Sequence, residues 1–328
     1  MSGSTMNTIQ AINLALDDAM TSDANVIVFG EDVADREEGG IVGVTKGLST
    51  KFGDARVRST PIAEQAIIGA AIGASLVGMR PVAEIMLMNF TTVAMDMIVN
   101  HAAKLRFMSG GQTNVPITIR TMTGAGFGTG GQHSDYVEAW FAHTAGLKVV
   151  VPSTPADAYG LMLSCIEDDD PCIFIENMVS YWNPGPAPER GKKIPLGKAN
   201  IVQVGSDVTV ITYSRQVFDA LAVAEKLGKE GISVEVIDLR TISPLDTATI
   251  LSSVAKTKRA VIVHEAVKPF GVGAEIAARI NEELFGQLKA PVQRVASEFC
   301  PVPFSKPLET AFVPSLEQIE QSIRSTLA

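Results

Sequence analysis

Residues 59–88 read STPIAEQAIIGAAIGASLVGMRPVAEIMLM, and the fold turns on this stretch. Thr60 can cap a helix, Pro61 suits its first position, and Glu64 ends the first turn. Residues 66–79 carry no charge, and Gly69, Gly73 and Gly78 punctuate them. A helix apolar on every side is expected to be buried. Gly69 and Gly73 would let another backbone approach closely. A strand over 82–88 follows, so one carboxylate stands at the mouth of a buried helix. Two readings of Glu64 stand open: an acid complementing the helix dipole, or a buried carboxylate that hydrogen-bonds a ligand.

Working outward, the same alternation repeats. Toward the N-terminus, 8–20 reads as an amphipathic helix and 26–29 as a short strand ending in Gly30, Glu31 and Asp32. Acids just past a strand's carboxyl end are where open α/β sheets place ligands; each alone also reads as an exposed loop acid. Residues 35–43 (DREEGGIVG) read as a mobile loop and 44–52 as a short helix. Downstream, 92–108 reads as one helix carrying Asp96, His101, Lys104 and Arg106. After a strand at 115–120, a glycine-rich loop over 124–131 delivers Gln132, His133, Ser134 and Asp135. A strand at 147–151 and a helix at 155–167 lead to Asp168, Asp169 and Asp170 before a strand at 172–176. Strands alternating with helices of this length imply an α/β fold with mainly parallel sheets covered on both faces. Residues 183–195 (NPGPAPERGKKIP) carry four prolines and no periodicity, which marks a linker. The pattern then restarts, with strands at 208–213, 233–239, 260–264 and 292–296, and helices at 217–230, 245–254, 273–284 and 316–326. We therefore expect two domains, 1–185 and 206–328, joined by a linker at 186–205.

Composition narrows the classes. The chain has 328 residues, 46% hydrophobic and 19% charged, enough for sizeable cores. A mean hydropathy of +0.21 suggests surface buried against other subunits. The net charge of -9 argues against nucleic acid or an anionic membrane as partner. No signal peptide and no membrane-spanning run is legible. The three cysteines, Cys165, Cys172 and Cys300, have no metal-ligand spacing and read as buried thiols in a reducing compartment, most simply the cytoplasm.

Few motifs carry chemistry by themselves. Gly126, Gly128 and Gly131 spell a literal G-x-G-x-x-G, but in mid-domain and without the acid expected about twenty residues on. Gly271 and Gly273 echo it only in part. His133 lies in a polar context after a glycine loop. It reads either as an acid–base group working near neutral pH or as a loop histidine with one local hydrogen bond. His101, His143 and His264 fall within regular elements and read as structural.

Several segments together resemble a known family. They are Thr-Pro-Ile-Ala-Glu (60–64), Gly-Met-Arg-Pro-Val-Ala-Glu (78–84), Ala-Lys-Leu-Arg (103–106), Met-Ser-Gly-Gly (108–111), Gln-His-Ser (132–134), Gly-Leu-Lys-Val-Val (146–150) and Asp-Leu-Arg-Thr (238–241). In this order they resemble the β subunit of the thiamine-diphosphate-dependent decarboxylating component of 2-oxo acid dehydrogenase complexes, of pyruvate, acetoin or branched-chain type. The resemblance implies a transketolase-like pyrimidine-binding domain followed by a transketolase C-terminal-like domain. It places Glu64 against the aminopyrimidine ring nitrogen, where the acid favours the imino tautomer that deprotonates the thiazolium carbon. Glu31, Ile62, Met86 and Phe90 take pyrimidine-pocket positions. His133 takes the position that steers proton transfer on the substrate or lipoyl group. Ile117, Cys165, Ile166, Asp168 and Asp170 match a potassium site of some members, with Cys165 and Asp170 departing from the commoner residues. Ala63 replaces a serine, and Val93 stands where some pyruvate enzymes have a polar residue.

The magnesium-diphosphate motif, Gly-Asp-Gly with a later asparagine, is incomplete here as Gly53-Asp54-Ala55. The resemblance assigns it to an α subunit, so each site would be shared within a two-α, two-β assembly. The expected activity is oxidative decarboxylation of a 2-oxo acid, or cleavage of acetoin, with acyl transfer to a lipoyl acyltransferase partner. A nucleotide-binding regulatory subunit and a non-catalytic scaffold are the rival readings.

Overall fold

The structure is a computed structural model that describes residues 4–328; the first three residues of the stretch inspected for a signal peptide lie outside it. In order, the chain forms β1 (Thr5–Met6), α1 (Thr8–Ser22), β2 (Val26–Glu31), α2 (Leu48–Phe52), β3 (Val57–Thr60), α3 (Glu64–Leu76), β4 (Arg80–Leu87), α4 (Leu105–Met108) and β5 (Thr118–Thr123). There follow α5 (Gly131–Ser134), α6 (Glu138–Ala142), β6 (Lys148–Val150), α7 (Pro155–Glu167), β7 (Cys172–Asn177), β8 (Gly185–Pro186), β9 (Asn200–Gln203), β10 (Val208–Thr212), α8 (Gln216–Gly228) and β11 (Val234–Asp238). The chain ends with β12 (Thr241–Ser243), α9 (Thr247–Thr257), β13 (Ala260–Val267), α10 (Val272–Leu284), β14 (Gln293–Ser297), α11 (Lys306–Phe312) and α12 (Leu316–Leu327). No helix among the described residues is long and apolar enough to cross a membrane.

Two compact units emerge. The first runs to Thr123 and includes Trp140–Leu196; the second is Gly124–Ala139 with Gly197–Ala328. The glycine loop and His133 thus belong to the second unit.

In the first unit the sheet order is β6-β7-β5-β4-β2-β3, every pairing parallel. Strands β5 and β7 are buried at every residue, as central strands covered on both faces must be. Helix α1 starts at an Asn7/Gln10 capping box and turns Ala11, Ile12, Ala15, Leu16 and Ala19 inward, one stripe at helical spacing. That stripe packs on α7, whose start is fixed by a Thr154/Asp157 capping box with Pro155 in the first turn. The second unit has the order β14-β13-β10-β11-β9, parallel except for β9 against β11. Its core gathers Val208, Val210, Val261 and Val263 under Leu227, Ile319 and Ile323.

Five expectations need correction. Helix α3 is not buried all round: Ile67, Ile68, Ala71, Ile72 and Ser75 face the core, whereas Leu76 and Val77 are exposed. Residues 92–108 are not one helix: a 3-10 segment (Met88–Ala94) runs into a π segment (Met97–Ala102) and the single turn α4. Thr91 and Thr92 donate their hydroxyls to the carbonyls of Met88 and Asn89, three residues back, which tightens the first segment. The loop over 35–43 is tied down: Asp35 accepts from the Thr50 backbone (2.7 Å) and hydroxyl (2.6 Å), and Ser59 donates to Glu37 at 2.8 Å. Cys300 is exposed, while Cys165 and Cys172 are buried as expected. The proline-rich stretch is also docked, since β8 pairs with β1 and Ser164 donates to the Ile194 carbonyl at 2.7 Å.

Candidate active site

The first unit builds an acidic corner at the carboxyl ends of β2, β3 and β4. Strand β3 ends at Thr60, whose hydroxyl donates to the Pro61 carbonyl at 3.0 Å and so does not cap α3. The helix begins at Glu64, after Ala63, which offers no side-chain cap. Glu64 is therefore the first helical residue, beside backbone N–H groups that lack intrahelical partners. It is half-buried. Glu31, also half-buried, closes β2. Burial raises its pKa, and the charges of Asp32, Glu64 and Glu84 raise it further. No hydrogen bond or ion pair holds the Glu31 or Glu64 carboxylate among the described residues.

Glu84 is different. It lies on β4 opposite Arg120 on β5 and forms an ion pair with that guanidinium. Arg120 is 3% exposed and also forks onto Glu176, Nε to Oε1 at 2.8 Å and Nη2 to Oε2 at 2.9 Å. Tyr181 donates its hydroxyl to the same Glu176 at 2.6 Å. Burial raises the Glu176 pKa even against Arg120. The neighbouring Glu176 and Glu84 raise that of Arg120 despite its own burial. One cation thus holds two carboxylates, and a pocket opens beside it between Gly40, Glu84, Met86 and Tyr181. The sequence analysis missed this network. Its trace there is one arginine inside an otherwise uncharged strand, with Glu84 in the strand before and Glu176 in the next strand but one.

Met86 and Phe90 are partly buried and pack on the main core, while Ile62 is 75% exposed. A flat heterocycle with a protonatable ring nitrogen and an amino group suits this corner. Glu31 and Glu64 offer acceptors that nothing among the described residues satisfies, and Ile62, Met86 and Phe90 offer apolar surface.

The second unit holds His133, half-buried in the short helix α5, with its backbone N–H on the Gly130 carbonyl at 3.1 Å. The loop before it cannot cradle a dinucleotide. The Gly126 and Gly128 amides already donate to Glu309, and that of Ala125 to Glu265. His264 is fully buried, and burial lowers its pKa to about 4. It is structural, as expected, whereas His101 and His143 are exposed.

At the residues matched to a potassium site, the backbone oxygens have hydrogen-bond partners within the first unit. The Ile166 and Asp168 carbonyls both accept from Arg80 Nη1 at 3.1 Å. The Ile117 and Cys165 carbonyls accept the amides of Cys172 and Asp168. The Asp168 carboxylate is held by Lys148 at 2.6 Å and that of Asp170 by Arg106 at 2.6 Å. Resident cations already serve this loop, and no group of His, Cys, Asp and Glu among the described residues could hold a metal. Gly53-Asp54-Ala55 is an exposed turn.

Two family models cover the chain in succession, the first running through Gly124–Ala139 as well. Residues 4–181 match the transketolase pyrimidine binding domain, and residues 197–319 the transketolase C-terminal domain. The acetoin:2,6-dichlorophenolindophenol oxidoreductase subunit beta of Cupriavidus necator is 47% identical over 97% of this chain and 96% of its own. The pyruvate dehydrogenase E1 component subunit beta of Bacillus subtilis is 44% identical over 98% of both chains. The mitochondrial pyruvate dehydrogenase E1 component subunit beta-1 of Arabidopsis thaliana is 45% identical over 96% of this chain and 87% of its own. A solved structure described as a split gene transketolase, inactive beta4 tetramer, shares the fold with a TM-score of 0.78 over 98% of both chains at 20% identity. The chain belongs to the transketolase-like, thiamine-diphosphate-dependent family of β subunits of the pyruvate and acetoin dehydrogenases, oxidoreductase components in which the β chain works with an α subunit.

Proposed function

We propose that this chain supplies the aminopyrimidine side of a shared thiamine diphosphate site, with Glu64 as the acid on the ring nitrogen. The observation that carries this reading is the pair of half-buried carboxylates, Glu31 and Glu64, that no cation or donor among the described residues satisfies. When bound, the cofactor supplies the carbanion chemistry that a 2-oxo acid or acetoin requires. The chain's own part is to orient the ring and hold a proton. Glu64 presents its carboxylate from the helix start, where it would meet the ring nitrogen. Ile62, Met86 and Phe90 would offer the ring apolar contacts. Arg120 holds Glu84 in an ion pair. His133 serves the later proton transfers on substrate or acyl acceptor. An α subunit supplies the magnesium and diphosphate contacts in a two-α, two-β assembly that delivers its acyl group to a lipoyl acyltransferase.

The test is Glu64→Gln in the assembled α/β enzyme. Hydrogen–deuterium exchange at the thiazolium carbon should fall by at least about a hundredfold, the usual scale for a lost acid–base group, with assembly intact. Exchange at the native rate would remove Glu64 from this role.

A further inference from the structure

The loop before His133 is held in an unusual way. Its backbone is satisfied by side chains rather than by other backbone, on both its donor and its acceptor side. Ala125 donates to Glu265 Oε1 at 2.6 Å, and its carbonyl accepts from Arg215 at 3.2 Å. Gly126 donates to Glu309 Oε1 at 2.6 Å, and its carbonyl accepts from Lys306 at 3.0 Å. Gly128 donates to both oxygens of Glu309, at 3.0 and 3.1 Å. Glu309 is 1% exposed and Glu265 5%, so both are buried acids on backbone amides. A hydrogen bond to a buried charge is stronger than a neutral one, and a buried carboxylate without partners is costly. Loop and acids therefore hold each other.

The same segment also covers the loop. A side chain on Gly130 would strike the Phe304 ring at 2.4 Å, and one on Gly131 would meet Pro301 at 3.0 Å. Gly130 has φ +71 as well, so glycine is required there on two counts. Directly after these clamped glycines come Gln132 and His133.

We propose that Glu309 is a positioning residue for His133: its carboxylate on the Gly126 and Gly128 amides sets the loop that aims the imidazole. The proposal rests on His133 acting in proton transfer, and Glu309 itself touches no reacting atom. Without the carboxylate, two glycine amides lose their acceptor and the loop opens to solvent while α11 stays folded on its apolar contacts, Phe312 and Val313 with Val302.

The experiment compares Glu309→Gln, Glu309→Leu and His133→Ala, with the Glu309→Gln/His133→Ala double variant, in the assembled α/β enzyme. Hydrogen exchange of the peptide spanning 124–135 is measured by mass spectrometry, alongside the rates of thiazolium-proton exchange and of acyl transfer in a single turnover. The glutamine keeps one acceptor oxygen, so the loop should exchange faster in the order native, Gln, Leu, by about tenfold or more in the last. Acyl transfer should fall in that order, and thiazolium-proton exchange should stay within about twofold of native. Glu309→Gln added to His133→Ala should slow acyl transfer no further, because coupled residues are not additive. Native loop exchange in the leucine variant overturns the clamp while leaving His133 untouched. Additive losses in the double variant overturn the assignment to His133. Native acyl transfer in His133→Ala alone removes the reading beneath the proposal, and the proposal with it. Should the leucine variant not fold, the glutamine variant carries the same comparisons.

Discussion

Glu138 shows how burial sets the state of a single residue. It is fully buried on α6, with Oε1 taking the Tyr213 hydroxyl at 2.6 Å and Oε2 without a partner. Burial raises its pKa to about 7, against the Tyr213 hydrogen bond, and the Glu265 charge adds to the rise. A carboxyl raised in the fold stabilises fully below its unfolded value, about 4.3, and that contribution is lost as pH rises toward 7. Glu138→Gln keeps the shape and the acceptor without the charge. We expect it to match the native chain near pH 4 and to exceed it above pH 7 by up to about 3 kcal/mol, since a tenfold change in proton affinity is worth about 1.4 kcal/mol. Urea unfolding of the α/β enzyme at pH 5 and pH 8 measures this, and an unchanged gap between the two pH values would count against it. Arg120 is the converse, a buried cation whose two carboxylates make it costly to remove alone.

At the scale of elements, the loop between β2 and α2 is fixed by one acid. Burial would raise the Asp35 pKa, but the Thr50 hydroxyl, the Gly47 and Thr50 amides and Ser49 hold it down to about 2. A depressed carboxyl stabilises above its unfolded value, about 3.9, and loses that contribution as pH falls toward 2. The side chain is partly solvated, so screening limits the gain to about 1 kcal/mol. Asp35→Asn should cost about that much at pH 7 and much less at pH 3, read from urea midpoints. Equal costs at both pH values would show that charge is not what fixes the loop.

Elements with strong local signals were legible in the chain. Helix α7 has its proline and capping box in the sequence, and its bounds were read as they occur. Strands β2, β10 and β13 announced themselves as short apolar runs. What escaped reading depends on partners far along the chain. The threonines that tighten 88–94 act through carbonyls three residues back, which composition does not reveal. Loop 35–43 looks mobile until Asp35 finds Gly47 and Thr50. In the site, Glu64 was legible as a position, but the Arg120 fork needs the register of β4, β5 and β7. The acids on the glycine loop lie 140 and more residues away from it in sequence.

At the scale of the whole molecule, the proposed reading gives this chain the ring side of the cofactor and leaves the diphosphate to the α subunit. The Gly126 and Gly128 amides are occupied by Glu309, and Asp54 sits in an exposed turn. The chain without its α subunit should therefore bind thiamine diphosphate with magnesium weakly, and the pair much more tightly. Calorimetry on each compares them, and micromolar binding by the β chain alone would point to a diphosphate site within it. Exposed Leu76, Val77, Phe107 and Met108 give the unpaired chain apolar surface of its own.

The second unit is discontinuous in sequence, because Gly124–Ala139 folds with Gly197–Ala328. That matters to anyone recombining relatives. A hybrid gene joined near residue 196 would pair one parent's glycine loop with the other parent's Glu265, Phe304 and Glu309. A crossover that respects the folded units needs three junctions, moving 124–139 together with everything after 196. Chimaeras built at one junction should survive only when the parents agree at both ends of this clamp, so inheritance in this family would be expected to treat two distant stretches of gene as a single unit.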